Sequence, residues 1–365
     1  MEICGRIWRM MKIRKAYFAV VFLQASIAVM YTIVAISLKH GLNHFVFSVY
    51  RHAVATVVLA PFALILERKT RPQMTLPVFW RILLLGFLEP VLDQNLYYLG
   101  MKYTSSTFAS AAINILPAIT FILAVIFRLE IVNMKKKHGL AKTAGTVIAI
   151  TGAMVMSLYK GPAFNFLPST GRSEMSHTET ATDRHWVSGS IFVFVSCFCA
   201  SAFYILQSMT LKMYPAGISL AALICLTGTV EGGAVTLAAE RHMMVWIVGW
   251  DSRLLAILYS GIVCSGIAYY VQGAVMKERG PIFVTSFSPL CTVITAALSS
   301  IFLADKVHLG SLIGAVIVMF GLYTLIWGTS IDFETSKQSN HVTQLPITGD
   351  VAGKMVDGPA KPPVV

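Results

Sequence analysis

The stretch LLLGFLEPVLDQNLYYLG, residues Leu83–Gly100, sets two carboxyl groups, Glu89 and Asp93, inside an apolar run of membrane-spanning length. Ionisable groups in the middle of such a run are costly unless they find partners or line a cavity. The i, i+4 spacing puts both carboxyls on one helix face, with Gly86 on the turn before and Tyr97 on the turn after. Pro90 lies between them and removes one backbone hydrogen bond, so the helix is expected to break there and bare carbonyl groups. Such a segment points to a transport pathway.

The surrounding composition belongs to a membrane protein. The chain has 365 residues, 56% hydrophobic and 13% charged, with a mean hydropathy of +0.70. Soluble domains carry about 25% charged residues. The net charge of +12 does not indicate a nucleic-acid partner, because the basic residues fall in short runs between apolar segments. Five of the six cysteines (Cys197, Cys199, Cys225, Cys264 and Cys291) fall in apolar runs without metal-ligand spacing, which reads as reduced thiols in packing positions.

Ten apolar runs reach membrane length: 16–37, 45–66, 79–101, 107–127, 140–158, 189–211, 218–239, 254–275, 282–304 and 309–327. The first follows the basic leader Arg6, Arg9, Lys12, Arg14 and Lys15 and is too long for the apolar core of a cleaved signal, so it reads as a first transmembrane helix. Lys and Arg recur in alternate connections, at Arg68, Lys69 and Arg71 and again at Lys135–Lys137. This bias places both termini in the cytoplasm. The expected organisation is a leader over 1–15, a first five-helix repeat over 16–158 and a Ser/Thr/Pro/Gly-rich linker over 159–188. A second repeat over 189–327 and a disordered tail over 328–365 complete it.

The two halves repeat one another. YYLGMKYTSS (residues 97–106) is followed by Pro117, Glu130 and AGTVIAITGAMV; YYVQGAVMKERG (residues 269–280) is followed by Pro289, Asp305 and IGAVIVMFGLYT. Gly145 and Gly152 have the spacing of Gly314 and Gly321. An odd number of helices per half starts the second repeat on the opposite side, so the fold class is an all-α polytopic membrane protein of ten helices in two inverted five-helix repeats. That layout lets one scaffold open to either face in turn.

The candidate substrate-binding residues are Glu89, Asp93, Asn95, Tyr97, Asn114 and Arg51 from the first half and Tyr270 and Ser288 from the second. Pro90, Pro117 and Pro289 are the expected helix breaks. Arg51 admits three readings: an ion pair with one carboxyl that only holds the bundle, a side chain reaching to the outer interface, or the counter-charge of a substrate carboxylate. Alignment through the Tyr-Tyr pairs sets Ser265 opposite Asp93, so the second half lacks the carboxylate. Asp93 is therefore the preferred functional residue, able to exchange a proton, and Glu89 its structural or proton-sharing neighbour. Gly228 and Gly232 form a GxxxG suited to close helix contact, with Glu231 between them left open. Gln24 and Gln207 are isolated polar candidates, Glu130 and Asp305 read as helix-end anchors, and His40, His44 and His52 read as interface residues.

No nucleotide loop, zinc motif or metal-spaced histidine cluster occurs, and no soluble stretch is long enough for an ATP-hydrolysing domain. No cofactor or metal is expected, and an enzyme is not. The reading is a secondary transporter or facilitator for a small molecule, in the bilayer, passive or driven by a gradient such as protons. The alternative is a membrane receptor or scaffold that moves nothing.

VYRHAVATVVLAPFALILERKTRP (Val49–Pro72), the long segment from Leu88 to Glu130 and TGAMVMSLYKGP (Thr151–Pro162) closely resemble the plant walls-are-thin-related proteins. These are nodulin-type members of the EamA-like drug/metabolite transporter superfamily. The likeness covers about Lys12–Trp327 and implies two EamA repeats, a central cavity and movement of amino acids or related organic acids, with auxin in some members. It further implies the plasma membrane, with the vacuolar membrane as the second address. The chain departs from the family pattern at FLADKVHLG, where Ala304 and Asp305 replace the commoner Gly-Glu.

Overall fold

Asn43 starts the second helix by accepting the backbone N–H groups of Phe45, at 2.9 Å, and Val46, at 3.5 Å, which satisfies donors that the first turn leaves open. This helix, α2 (His44–Leu66), carries Arg51 and His52 on its buried side. The computed structural model describes residues 2–39, 41–103, 112–129, 137–159, 163–164, 183–240, 243–302, 307–310, 313–325 and 327–328.

α1 (Glu2–Lys39) runs as one helix through the basic leader. α3 (Leu76–Gly86) passes into a π segment, Phe87–Asp93, and then into α4 (Gln94–Tyr103). The expected break at Pro90 is therefore a widened turn within a continuous helix. One extra residue per turn removes the demand for the N–H that proline lacks. α5 (Leu116–Ile126) and α6 (Lys137–Leu158) complete the first half. The second half comprises α7 (Asp183–Met213), α8 (Gly217–Ala239), α9 (Ser252–Tyr259), a second π segment (Ser260–Ile267), α10 (Ala268–Arg279), α11 (Pro281–Thr285), α12 (Ser288–Phe302) and α13 (Ile313–Leu325). A two-residue antiparallel bridge pairs Ala163 with His308 and Phe164 with Val307.

Among the described residues six helices are long and apolar enough to cross a membrane: Lys15–Ser37, His44–Leu66, Val187–Met213, Gly217–Ala239, Ser252–Arg279 and Pro281–Leu298. Leu116–Ile126 and Ile313–Leu325 are shorter apolar helices. The exposed surface is apolar at Phe18, Val57, Ile65 and Val316, while Gln24, Arg51, His52, Asn114 and Gln207 are buried. That inverts the distribution of a soluble protein and suits a lipid surround.

Contacts between helices follow a pattern of exchange. Gly100 and Asp93 of the third segment lie against Gly189 and Ser196 of α7, and the two run antiparallel. In the same way Ser37 of α1 donates to the carbonyl of Ser252, and Tyr259 and Cys264 donate to the carbonyl of Ser26. So the third segment of each half packs on the first helix of the other. α2 and α8 are antiparallel and tied at both ends. Asn43 donates to Glu240 at 2.8 Å, and the Glu67 carboxylate accepts the N–H groups of Ile218 and Ser219 at 3.0 and 2.6 Å. Glu67 thus caps α8 from a neighbouring helix, a favourable place for an anion at a helix N-terminus. α6 and α13 cross where Gly145 meets Gly321 and Leu325, with no room for a Cβ on either glycine.

The GxxxG reading holds for one glycine. A Cβ on Gly228 would lie 2.6 Å from the Pro90 ring, whereas one on Gly232 would meet only Val49 and Val91 at ordinary distance. The expected helix-end anchors Glu130 and Asp305, the expected interface residue His40 and the tail after residue 328 lie outside the described residues.

Candidate functional site

The π segment aims Glu89 at the junction of α2 and α10. Its carboxylate accepts the Tyr269 hydroxyl on Oε2 and the Gln94 side-chain amide on Oε1, the latter at 3.1 Å. His52 Nε2 stands 3.7 Å from Oε2 and 3.4 Å from the Tyr269 oxygen. On its other side His52 Nδ1 is 2.7 Å from the carbonyl of Ser48, and the Ser48 hydroxyl donates to the carbonyl of Pro90 at 2.8 Å. The Pro90 carbonyl within the π turn is thereby tied to α2. One polar chain links Pro90, Ser48, His52, Tyr269 and Glu89.

Arg51 is 5% exposed and donates through Nε to the Ser265 hydroxyl at 2.6 Å. Among the described residues it makes no ion pair and no second hydrogen bond. The interface reading falls, since the side chain is buried; among the described residues no carboxylate forms an ion pair with it, although Glu89 is the anion it faces. Ser265, which the alignment sets opposite Asp93, lies in the second π segment. The two π segments thus meet the same helix, one through Ser48 and one through Arg51.

Asp93 ends the first π segment and accepts one hydrogen bond, from Ser196 of α7 at 2.6 Å. Its second oxygen has no partner among the described residues. The sequence ranks Asp93 above Glu89 as the functional residue; the geometry gives Glu89 the richer network and Asp93 the freer carboxylate. Asn95 donates to the Val91 carbonyl at 2.7 Å and leaves Oδ1 buried without a partner among the described residues. The Tyr97 ring lies tilted to Tyr31 and edge-on to Tyr98, with ring centroids 6.5 and 5.6 Å away.

The remaining candidates lie further from this centre. Asn114 is buried and accepts from Thr292 of α12 at 2.9 Å. Ser288 is buried at the start of α12. Pro117 and Pro289 each stand in the first turn of a helix that comes after a turn, at 114–115 and 286–287, so the chain is interrupted at matching places in the two halves. A proline is well tolerated there because its missing N–H would be open in any case. Tyr270 is 41% exposed with its ring against Gly217, while its neighbour Tyr269 enters the site. Gln207 joins a second polar pair, accepting from Gln272 at 2.7 Å. Glu231 keeps one buried oxygen without a partner among the described residues. Cys197, Cys199, Cys225, Cys264 and Cys291 are free and buried, as expected of packing thiols.

Sequence reasoning misses three partners, Ser48, Ser196 and Tyr269, and misplaces His52, which is fully buried rather than interfacial. The adjacency of His52 to Arg51 is the available signal: two neighbours on a helix share a depth.

Buried charges at a proline-widened turn inside a multi-pass helical bundle mark a membrane transporter. The EamA-like transporter family matches residues 14–158 and again 187–327, and the chain belongs to that family, in its plant WAT1-related group. Three WAT1-related proteins of Arabidopsis thaliana are similar along their length. One is 52% identical over 347 residues, covering 92% of this chain and 89% of its own; a second is 54% identical over 340 residues, covering 92% and 91%. The third is 51% identical over 356 residues, covering 94% and 96%. A solved crystal structure superposes with a TM-score of 0.64 at 17% identity, covering 84% of this chain and 97% of the other, and shares the fold. The protein is thus an integral, multi-pass membrane transporter of the drug/metabolite superfamily.

Proposed function

We propose that the chain moves amino acids or related small organic acids, auxin among them, by alternating access, and that the solute carboxylate binds Arg51. The observation that carries this reading is a buried guanidinium with one hydrogen bond, to Ser265, and no carboxylate partner among the described residues. A buried charge that faces Glu89 without forming an ion pair with it is only partly compensated, and an anionic ligand offsets the remaining cost. A guanidinium matches a carboxylate with two parallel N–H donors. Asp93, with one oxygen unbound, is suited to an ammonium group, and Tyr97, Asn95 and Asn114 supply walls and polar contacts.

The architecture proposed with it is ten helices in two inverted repeats, over 16–158 and 189–327, joined by a linker at 159–188. The doubled family match, the π segments at Phe87–Asp93 and Ser260–Ile267 and the interruptions at 114–115 and 286–287 support it. So do the antiparallel pairs α2 with α8 and α6 with α13. The Lys and Arg bias supports cytoplasmic termini, and the plasma membrane, with the vacuolar membrane second, is the proposed address.

Competition for uptake of radiolabelled L-glutamine and radiolabelled indole-3-acetate tests the substrate class. Carboxylate-bearing competitors are expected to inhibit and their amides and alcohols to fail; equal inhibition by the amides would remove Arg51 from the site.

A further inference from the structure

We propose that His52 and Glu89 form a proton-binding site, and that the proton held there sets whether Arg51 is free to take the solute carboxylate. The inference rests on the transport reading and names the coupling ion for it.

The positions of the imidazole hydrogens decide what this pair can do. Nδ1 lies 2.7 Å from the Ser48 carbonyl, which only accepts, so Nδ1 carries a hydrogen. In a neutral ring Nε2 then has a lone pair, and that lone pair faces Glu89 Oε2 at 3.7 Å. The Tyr269 hydroxyl, 3.4 Å away, has one hydrogen and gives it to Glu89. A neutral His52 therefore leaves a fully buried nitrogen turned toward a carboxylate with no hydrogen between them. One added proton on Nε2 completes the set: the ring becomes a donor at both nitrogens and pairs with Glu89. Two acceptors facing one another in a buried site form a place for one proton, and its charge is held by groups already in position.

Among the described residues, few other titratable or charged groups turn toward this point. They are Arg51 of the same helix, Glu89 and Asp93 of the π segment, Tyr269 of α10, Tyr98 of α4 and Tyr204 of α7, with the thiols of Cys225 and Cys264 behind them on α8 and the second π segment. Arg253 of the neighbouring α9 is bound to Asp251, at 2.9 Å, and lies toward solvent. Arg51 is thus, among the described residues, the one fixed cation facing Glu89. Without the proton, Glu89 draws on Arg51; with it, His52 neutralises Glu89 and Arg51 is released. A proton and a carboxylate then enter together with no change in the net charge of the site. The added N–H bond forms with a proton from the water on the open side, and the same bond breaks when the site opens to the other side.

The test needs no solute. Proteoliposomes on a solid-supported membrane are stepped from alkaline to acidic pH. The wild type is expected to give a transient charge displacement as the site loads. His52→Gln is expected to fall to the level of protein-free liposomes, and Tyr269→Phe, which keeps imidazole and carboxylate, to retain the transient. A transient of wild-type size in His52→Gln, or one abolished by Asp93→Asn and not by His52→Gln, overturns the proposal. Should His52→Gln fail to fold, Glu89→Gln removes the other half of the site and must also lose the transient. Solute flux is measured on the same preparation: a proton transient without flux contradicts the transport reading alone, and flux without a transient contradicts this inference alone.

Discussion

Replacing Arg51 with Gln separates a binding residue from a structural one, because the two roles predict stability changes of different size. In the structure Arg51 donates one hydrogen bond, to Ser265 at 2.6 Å, and makes no ion pair among the described residues. Losing a hydrogen bond to a charged group costs about 1.5–3 kcal/mol. Removing a buried charge that makes no ion pair relieves a desolvation penalty of several kcal/mol, offset in part by the lost attraction to Glu89, which it faces. The balance lies near neutral, so the thermal midpoint of purified Arg51→Gln is expected to hold within a few degrees. A guanidinium that was one arm of a buried ion pair would instead cost about 3–5 kcal/mol on removal, and the midpoint would fall. Transport moves the other way. Truncating one partner of a buried, hydrogen-bonded charge pair with the solute costs about 2–5 kcal/mol, which is an increase in KM of about 30-fold or more. Initial rates in proteoliposomes, with thermal unfolding of the same preparation, measure both. A normal KM would take Arg51 out of solute binding, and a large drop in midpoint would make it a structural ion.

Asp93→Asn is expected to abolish transport while membrane abundance stays at the wild-type level; efflux from loaded vesicles at the normal rate would remove Asp93 from the mechanism. Gly228→Ala is expected to destabilise by about 1–3 kcal/mol, because its Cβ would overlap the Pro90 ring at 2.6 Å, while Gly232→Ala is expected to be nearly neutral, as thermal unfolding of the purified variants will read. Glu67→Ala removes the acceptor for two N–H groups of α8 and is expected to cost about 1–3 kcal/mol, with Glu67→Gln recovering part of it by the same assay.

The range of each contact decides how much of the fold and site is legible in the sequence. Apolar runs and the residue types at the centre are local or periodic, and Glu89, Asp93 and Arg51 all stand out in them. Their partners do not, because Ser196 reaches Asp93 across 103 positions and Tyr269 reaches Glu89 across 180. The π segments account for the mis-phasing of neighbours. Each extra residue rotates the downstream helix by about 100° relative to a regular one. A helical wheel drawn through Phe87–Asp93 or Ser260–Ile267 therefore fails beyond it, which is why Tyr269 enters the site and Tyr270 does not. Pro90 signals the first π segment; the second contains no proline and gives no comparable sign. The company of His40 and His44 suggests an interfacial His52, although its neighbour Arg51 fixes its depth.

Counterflow of radiolabelled L-glutamine and indole-3-acetate in liposomes that contain this protein alone asks whether the chain transports at all. Uptake of label is expected to be accelerated by the same unlabelled acid inside, to saturate, and to be lost in Asp93→Asn. Label that enters no faster than into protein-free liposomes, for every carboxylate tried, would contradict transport and leave the receptor or scaffold reading in its place.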